Sequence, residues 1–229
     1  MTVVAIHQPQ YLPWLGYFDK MDSCDVFCLL DTVQYKKNEF QNRNRIKTAD
    51  GWQWLTVPVT YRFPQRIYEV AVNQTVDWQR KHLRALKTNY SKARFFESYY
   101  AKFEEFYRQP FELLVQVNVA CIQLLMELLG LERKVVLASS LPVESEDPTL
   151  RLVEICKALG GEFYMSGRDG ANYMDADMFP AHYIEVLHQD FNHPEYPQCY
   201  GSFEPNMSVV DLLFNCGPDS LAVIKEAST

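Results

Sequence analysis

The run Asp25-Val26-Phe27-Cys28-Leu29-Leu30-Asp31 constrains the fold more than any other segment of the chain. Successive side chains of a β-strand point to opposite faces, so a strand with one wet face alternates apolar and polar residues. Here the apolar residues are consecutive, and both faces are expected to be covered. That is the condition of a strand in a parallel sheet with helices packed on either side.

Parallel strands need crossover connections, and the rest of the sequence supplies them. Val3 to Ile6 reads as a first strand, and Gln8-Pro9 and Leu12-Pro13 keep a helix from starting before Trp14. The helix after it holds Leu15, Phe18, Lys20 and Met21. Further strands are expected at Val135 to Ala138, Phe163 to Gly167 and Ile184 to His188. Asp147-Pro148 predicts a helix N-cap with proline in the first turn, and Ser208 opens a terminal helix bounded by Gly217-Pro218. Two alternating runs, Gly51 to Val59 and Ile67 to Val72, suggest an antiparallel excursion at a sheet edge, where Pro58 is tolerated. From 77 to 130 the pattern is helical, with Asp77, Ser91 and Pro110 as starts and Gly130 as a stop. The expected fold class is α/β: a doubly wound, mostly parallel Rossmann-like sheet with an antiparallel edge excursion and a helical insertion over about 77–130, all in a single domain spanning 1–229.

Several functional classes are excluded by composition. Lys and Arg number 22 against 29 Asp and Glu, a net charge of −7 that argues against general nucleic-acid binding. The longest apolar stretch, Leu113 to Leu131, is broken by Gln116, Asn118, Gln123 and Glu127, so no membrane span is expected. The N-terminus has no basic segment before its short apolar run, and the six cysteines form no CxxC pair. Reduced thiols and a cytoplasmic location are the expectation.

Four segments carry residue types suited to chemistry. His7-Gln8-Pro9-Gln10-Tyr11-Leu12-Pro13-Trp14 follows the first strand, and ligands of open α/β sheets bind outside the carboxyl ends of strands. His7, Gln8, Tyr11 and Trp14 there offer donors, acceptors and stacking faces; the alternative is a rigid loop with His7 satisfied by backbone. The stretch after the second strand, Asp31 to Lys47, brings Asp31, Gln34, Tyr35, Asn42, Arg43, Asn44, Arg45 and Lys47 to the same edge. From Lys36 to Lys47 it carries five cations against Glu39, so phosphate or carboxylate is a natural guest, with a solvated charge run as the competing account. In an extended Asn42-Arg43-Asn44-Arg45 the two Asn share one face and the two Arg the other. Ser166-Gly167-Arg168-Asp169-Gly170 enters a loop whose glycines allow close backbone approach to an anion, or simply make a turn. Finally, His193-Pro194 with Tyr196 suits a substrate contact, while the spacing of His182, His188, His193 and Cys199 fits no zinc pattern, so no metal site is expected.

Taken together these segments resemble the WbqC-like family. The chain carries an HQPQYLPWLGYFDK opening, a VQY followed by FQNRNRIK, then LTVPV, SGRDG, and a closing run from His193 to Asn215 that includes MSVVDLLFN. The resemblance implies a bacterial protein of lipopolysaccharide O-antigen or other surface-glycan synthesis, acting as a transferase of glycine or a related acyl group. The opening loop is also similar, at the level of fold, to the nucleotide loop of adenylate-forming α/β enzymes, which makes ATP with Mg²⁺ the cofactor candidate where the residues themselves leave the cofactor open.

Two functions follow as expectations. The first is an amide-forming transferase joining glycine or a similar small acid to an amino-sugar on a nucleotide carrier. His7, Arg43 and Asn44 would be catalytic, with Arg43, Arg45 and Lys47 neutralising phosphates and Asn42, Asn44 and Gln34 orienting the acceptor. Gln8, Tyr11, Trp14, Asp31, Tyr35, Ser166, Gly167, Gly170, His193 and Tyr196 would complete the substrate site. The alternative is a noncatalytic nucleotide-sugar or glycan-binding partner of other pathway enzymes.

Overall fold

A computed structural model of the chain describes residues 1–167, 170 and 174–228. In chain order its strands are β1 (Val3–His7), β2 (Val26–Leu29), β3 (Arg43–Thr48), β4 (Gly51–Thr56), β5 (Val59–Thr60), β6 (Ala71–Val72), β7 (Lys134–Leu137), β8 (Phe163–Ser166) and β9 (Glu185–His188). The helices are α1 (Leu15–Asp22), α2 (Trp78–Tyr90), α3 (Phe96–Tyr107), α4 (Leu114–Leu129), α5 (Pro148–Ala158), α6 (Val209–Cys216) and α7 (Ser220–Lys225).

The central sheet has five strands in the order β7-β2-β1-β8-β9, every neighbouring pair parallel. The apolar run that predicted a doubly covered strand divides its residues between two cores. Phe27 and Leu29 join Ala5 in the core formed with α1, α4 and α6, while Val26 and Cys28 join Val4 and Ile6 in the core formed with α5. Strand pleating therefore sends alternate residues of the same strand to opposite apolar layers. All six cysteines are free, and four of them are buried as small apolar side chains.

Local capping chemistry behaves as the sequence predicts at α5 and α6. The Asp147 carboxylate accepts the backbone N–H of Thr149 and Leu150, and the Ser208 hydroxyl accepts that of Val210. Elsewhere the boundaries move. Ser91 ends α2 and does not begin a new helix, and α4 starts four residues after Pro110. The antiparallel excursion is present as two separate two-stranded sheets, β3 with β4 and β5 with β6. Most of the alternating run from Gly51 thus pairs with the charged segment before it, and only its end, Val59, pairs with Val72. Pro58 has no N–H to continue a ladder, and β4 stops before it. Among the described residues no helix is long and apolar enough to cross a membrane.

Candidate functional site

The chain leaves β1 toward β2 and β7 on one side of the sheet, then returns to lay β8 and β9 on the other. Strand order therefore reverses between β1 and β8, and in such sheets the helical connections part at that point to leave a crevice beyond the carboxyl ends. A cavity of about 660 Å³ lies there, lined by His7 and Gln8 at the end of β1, Leu30 beyond β2, Gly167 beyond β8 and Gln189 beyond β9. Its size falls within the roughly 300–1,000 Å³ usual for small-molecule sites.

A buried amine and a half-buried imidazole set its electrostatics. Lys20 on α1 is 2% exposed, and its ammonium donates to the Ile6 carbonyl at 2.9 Å. A Cβ added to Gly167 would lie 3.9 Å from Lys20 Nζ, so the amine sits directly under the turn that ends β8. Among the described residues no carboxylate pairs with it, and burial pulls its pKa down to about 8. His7 Nδ1 lies 3.0 Å from the Gln8 carbonyl. That oxygen can only accept, so the proton is on Nδ1 and Nε2 keeps its lone pair. Burial first, and then the Lys20 charge, push the His7 pKa to about 3, so the imidazole rests neutral. The ring also meets Tyr17 edge-on at 4.8 Å, which fixes its plane.

The opposite wall is aromatic. Trp14, Phe191 and His193 line the cavity, with the Trp14 and His193 rings nearly parallel at 6.4 Å and Phe191 edge-on to Trp14 at 5.5 Å. His193 Nδ1 donates to the Pro194 carbonyl, and Nε2 accepts the backbone N–H of Asn206. Both ring nitrogens are committed, so His193 offers the cavity a flat face and not a proton. Gly16 makes room for this wall, because a Cβ there would come within 2.4 Å of the Trp14 ring. Lys36 and Glu39, both exposed, stand at the mouth.

The expected site residues divide into two groups. His7, Gln8, Trp14, Gly167 and His193 line the cavity together. Ser166 is buried beneath it, its hydroxyl donating to the Gly167 carbonyl, and Gly170 packs so closely that a Cβ would meet Ser166 Oγ at 1.8 Å. Arg168, Asp169, Ala171, Asn172 and Tyr173 lie outside the described residues.

The remaining expected residues lie outside the lining of the cavity, and most of the buried ones brace the frame around it. Tyr11 is buried against His82 and Tyr107. Asn42 donates to the Val57 carbonyl, and Asn44, fully buried, donates to the Leu12 carbonyl and accepts the N–H of Arg45. Asp31 holds the backbone N–H and hydroxyl of Ser139, tying the end of β2 to the end of β7. Lys47 is 1% exposed and reaches Gln198 and the Ser202 carbonyl, while Gln198 and Tyr90 both donate to the buried Asp211. Tyr196 is buried, edge-on to Phe203. Gln34 is exposed, and Tyr35 lines a smaller cavity of about 240 Å³ with Arg43. Arg43 and Arg45 stack over Trp54 and Trp52 on the outer face of β3 and β4, and Arg45 reaches the main cavity only through the carbonyl of its lining residue Asn206.

Lys20, Gln189, Phe191 and Asn206 are lining residues that motif reading passes over. Lys20 had a signal available, a cation beside Phe18 and Met21 on a short apolar helix. Gln189 donates to the Gly16 carbonyl and to Asp19, a bond between β9 and α1 that only the assembled sheet creates.

Lys20 and Lys36 are the lining cations that could meet the phosphates of a nucleotide, and Glu39 is the lining carboxylate that could serve a Mg²⁺ ion. Among the described residues no group of three or more His, Cys, Asp or Glu side chains is placed to hold a metal by itself.

A parallel five-stranded sheet with a cation-floored, aromatic-walled cavity over its switch point defines a Rossmann-like α/β protein. The chain belongs to the WbqC-like protein family, whose model matches residues 8–223. It is 38% identical over 225 residues to the uncharacterized protein Rv1507c of Mycobacterium tuberculosis, a match covering 96% of each chain. No solved structure matches it.

Proposed function

We propose that the chain is an amide-forming transferase of bacterial surface-glycan synthesis, joining glycine or a related small acid to the amine of a nucleotide-linked amino-sugar in the cavity over β1 and β8. The observation that supports this most is the pairing of a buried ammonium, Lys20, with a neutral imidazole, His7, in one cavity at the switch point.

Acyl transfer to an amine needs two services, removal of a proton from the attacking nitrogen and stabilisation of the departing anion. The sugar amine attacks the carbonyl carbon of an activated acyl group, an adenylate, thioester or aminoacyl ester. A C–N bond forms, and the bond to the leaving group breaks with its electron pair. His7 Nε2 takes the proton from the nitrogen, Lys20 faces the anionic leaving group, and the imidazolium returns the proton to that group or to water. The two residues are coupled, because an anion beside Lys20 offsets the charge that helps hold the His7 pKa down, so His7 becomes a better base when substrate is in place. Trp14 and His193 supply flat faces for a sugar ring.

Incubation with ATP, glycine and a UDP-amino-sugar, read by mass spectrometry, tests the reading. A glycyl adduct that disappears in His7→Asn and Lys20→Met supports it. Binding of sugar nucleotides with no adduct across small acids and activated donors would replace it with the noncatalytic partner.

A further inference from the structure

The outer face of β3 and β4 carries an interleaved row of planar groups. Cross-strand register places Arg45 opposite Trp54 and Lys47 opposite Trp52. The Arg43 guanidinium lies 4.1 Å over the Trp54 ring, and that of Arg45 lies 5.0 Å over Trp52 and 5.9 Å over Trp54. Phe40 extends the row at 6.0 Å from Trp54. Trp52 is 43% exposed and Phe40 37%, so two of the six exposed large apolar side chains among the described residues fall on this one patch. Leaving an indole in water forgoes its burial, which is why such exposure marks a contact surface more often than chance would.

The charge of the patch is opposite to that of the chain. Against a net charge of −7, Lys36, Lys37, Arg43 and Arg45 face Glu39 alone on this segment, Lys47 being covered and engaged by Gln198 and the Ser202 carbonyl. A guanidinium stacked on an indole has its face used but keeps in-plane N–H groups for an anion. The row also runs into the cavity: Arg45 donates to the Asn206 carbonyl at 3.2 Å, the Asn206 N–H is held by His193, and the His193 ring faces Trp14.

We propose that this face binds the nucleoside and phosphate end of a mononucleotide-linked substrate, the base lying on Trp52 and the phosphates along Arg45 and Lys36, with the remainder of the molecule reaching the cavity past Asn206. The assignment rests on the transferase reading for what the remainder does, and stands without it as a nucleotide site. A planar anion satisfies both the aromatic and the guanidinium groups, whereas a neutral sugar would leave the cations unused. A longer polyanion would meet the acidic surface beyond the patch.

Binding is measured with UDP, ADP, uridine, inorganic phosphate and a single-stranded RNA oligomer, by tryptophan fluorescence and calorimetry on the full chain. UDP or ADP should quench fluorescence saturably, uridine and phosphate should bind more weakly, and Trp52→Leu should weaken nucleotide binding by about tenfold or more, since base stacking on an aromatic ring carries that weight. Arg45→Met should weaken UDP more than uridine, and both variants should keep the thermal midpoint of the parent. Nucleotide affinity unchanged in Trp52→Leu and Arg45→Met, loss of thermal stability with no loss of binding, or RNA bound in preference to mononucleotides would each overturn the proposal. The two readings fail separately: absence of a glycyl adduct alongside Trp52-dependent nucleotide binding removes the transferase and leaves this site. An adduct formed equally well by Trp52→Leu removes this site and leaves the transferase.

Discussion

Replacing Lys20 by Met should make the protein more stable and less able to hold an anion. Burial lowers the lysine pKa from 10.5 to about 8, and each tenfold change in proton affinity is worth about 1.4 kcal/mol, so the charged amine costs the fold about 3 kcal/mol. Met fills the same volume without the charge but gives up the bond to the Ile6 carbonyl, a loss of about 1 kcal/mol. The net gain at neutral pH is about 2 kcal/mol. The sign depends on pH in a defined way. The folded pKa lies below the unfolded one, so the cost is complete below about pH 8 and is relieved as pH rises toward 10.5. Urea unfolding of both proteins at pH 7 and pH 10 measures it. The variant's advantage should be about 2 kcal/mol at the lower pH and near zero at the higher. Calorimetry with inorganic phosphate should show binding weakened by about tenfold or more, the usual scale for a charge-assisted hydrogen bond. Equal destabilisation at both pH values with phosphate binding intact would refute the reasoning and make Lys20 a brace between α1 and β1.

Three further tests address the surroundings. His7 should stay neutral down to about pH 3 with its proton on Nδ1, and its pKa should rise in Lys20→Met; nitrogen chemical shifts report both, and a His7 titrating near 6.5 in the parent protein would contradict the burial argument. Lys47→Met should destabilise more at pH 8 than at pH 5. Burial already raises the Asp211 pKa to about 6 and the Lys47 charge opposes that rise, so loss of the cation matters more where the carboxylate is ionised; an effect independent of pH would sink this. Gly16→Ala should displace the Trp14 ring at a cost of about 1–3 kcal/mol, with a changed near-ultraviolet dichroism and weaker ligand binding, and an unchanged spectrum would show that the wall has slack.

What could be read from the sequence followed from local rules, and what could not depended on distant contacts. The apolar run Val26–Leu29, the Asp147 and Ser208 caps and the Gly130 stop are each decided within a few residues, and they appear as expected. That His7, Gln8 and Gly167 share one edge was legible because each lies at or just beyond the carboxyl end of a parallel strand. The QNRNR stretch announced two faces by its alternation, but not which of them meets the interior. It is a strand, its two asparagines turn inward to hold backbone carbonyls, and its two arginines turn outward onto tryptophans of the next strand. Lys20 was hidden for a different reason. Nothing near it in sequence reveals that the Ile6 carbonyl lies 2.9 Å from its amine, or that β8, more than a hundred residues later, ends above it.

The strand that carries His7 has a consequence for biosynthesis. Val3 of β1 pairs with Phe163 of β8, so the middle of the sheet cannot close until the ribosome has reached Phe163. Until then β1 has β2 as a neighbour and an open hydrogen-bonding edge on its other side, a template for pairing with another nascent chain. Stalled or prematurely ended products should therefore aggregate and lack the cavity altogether, and the helices between β6 and β7, made in that interval, are placed to shelter one face of the half-built sheet while it waits.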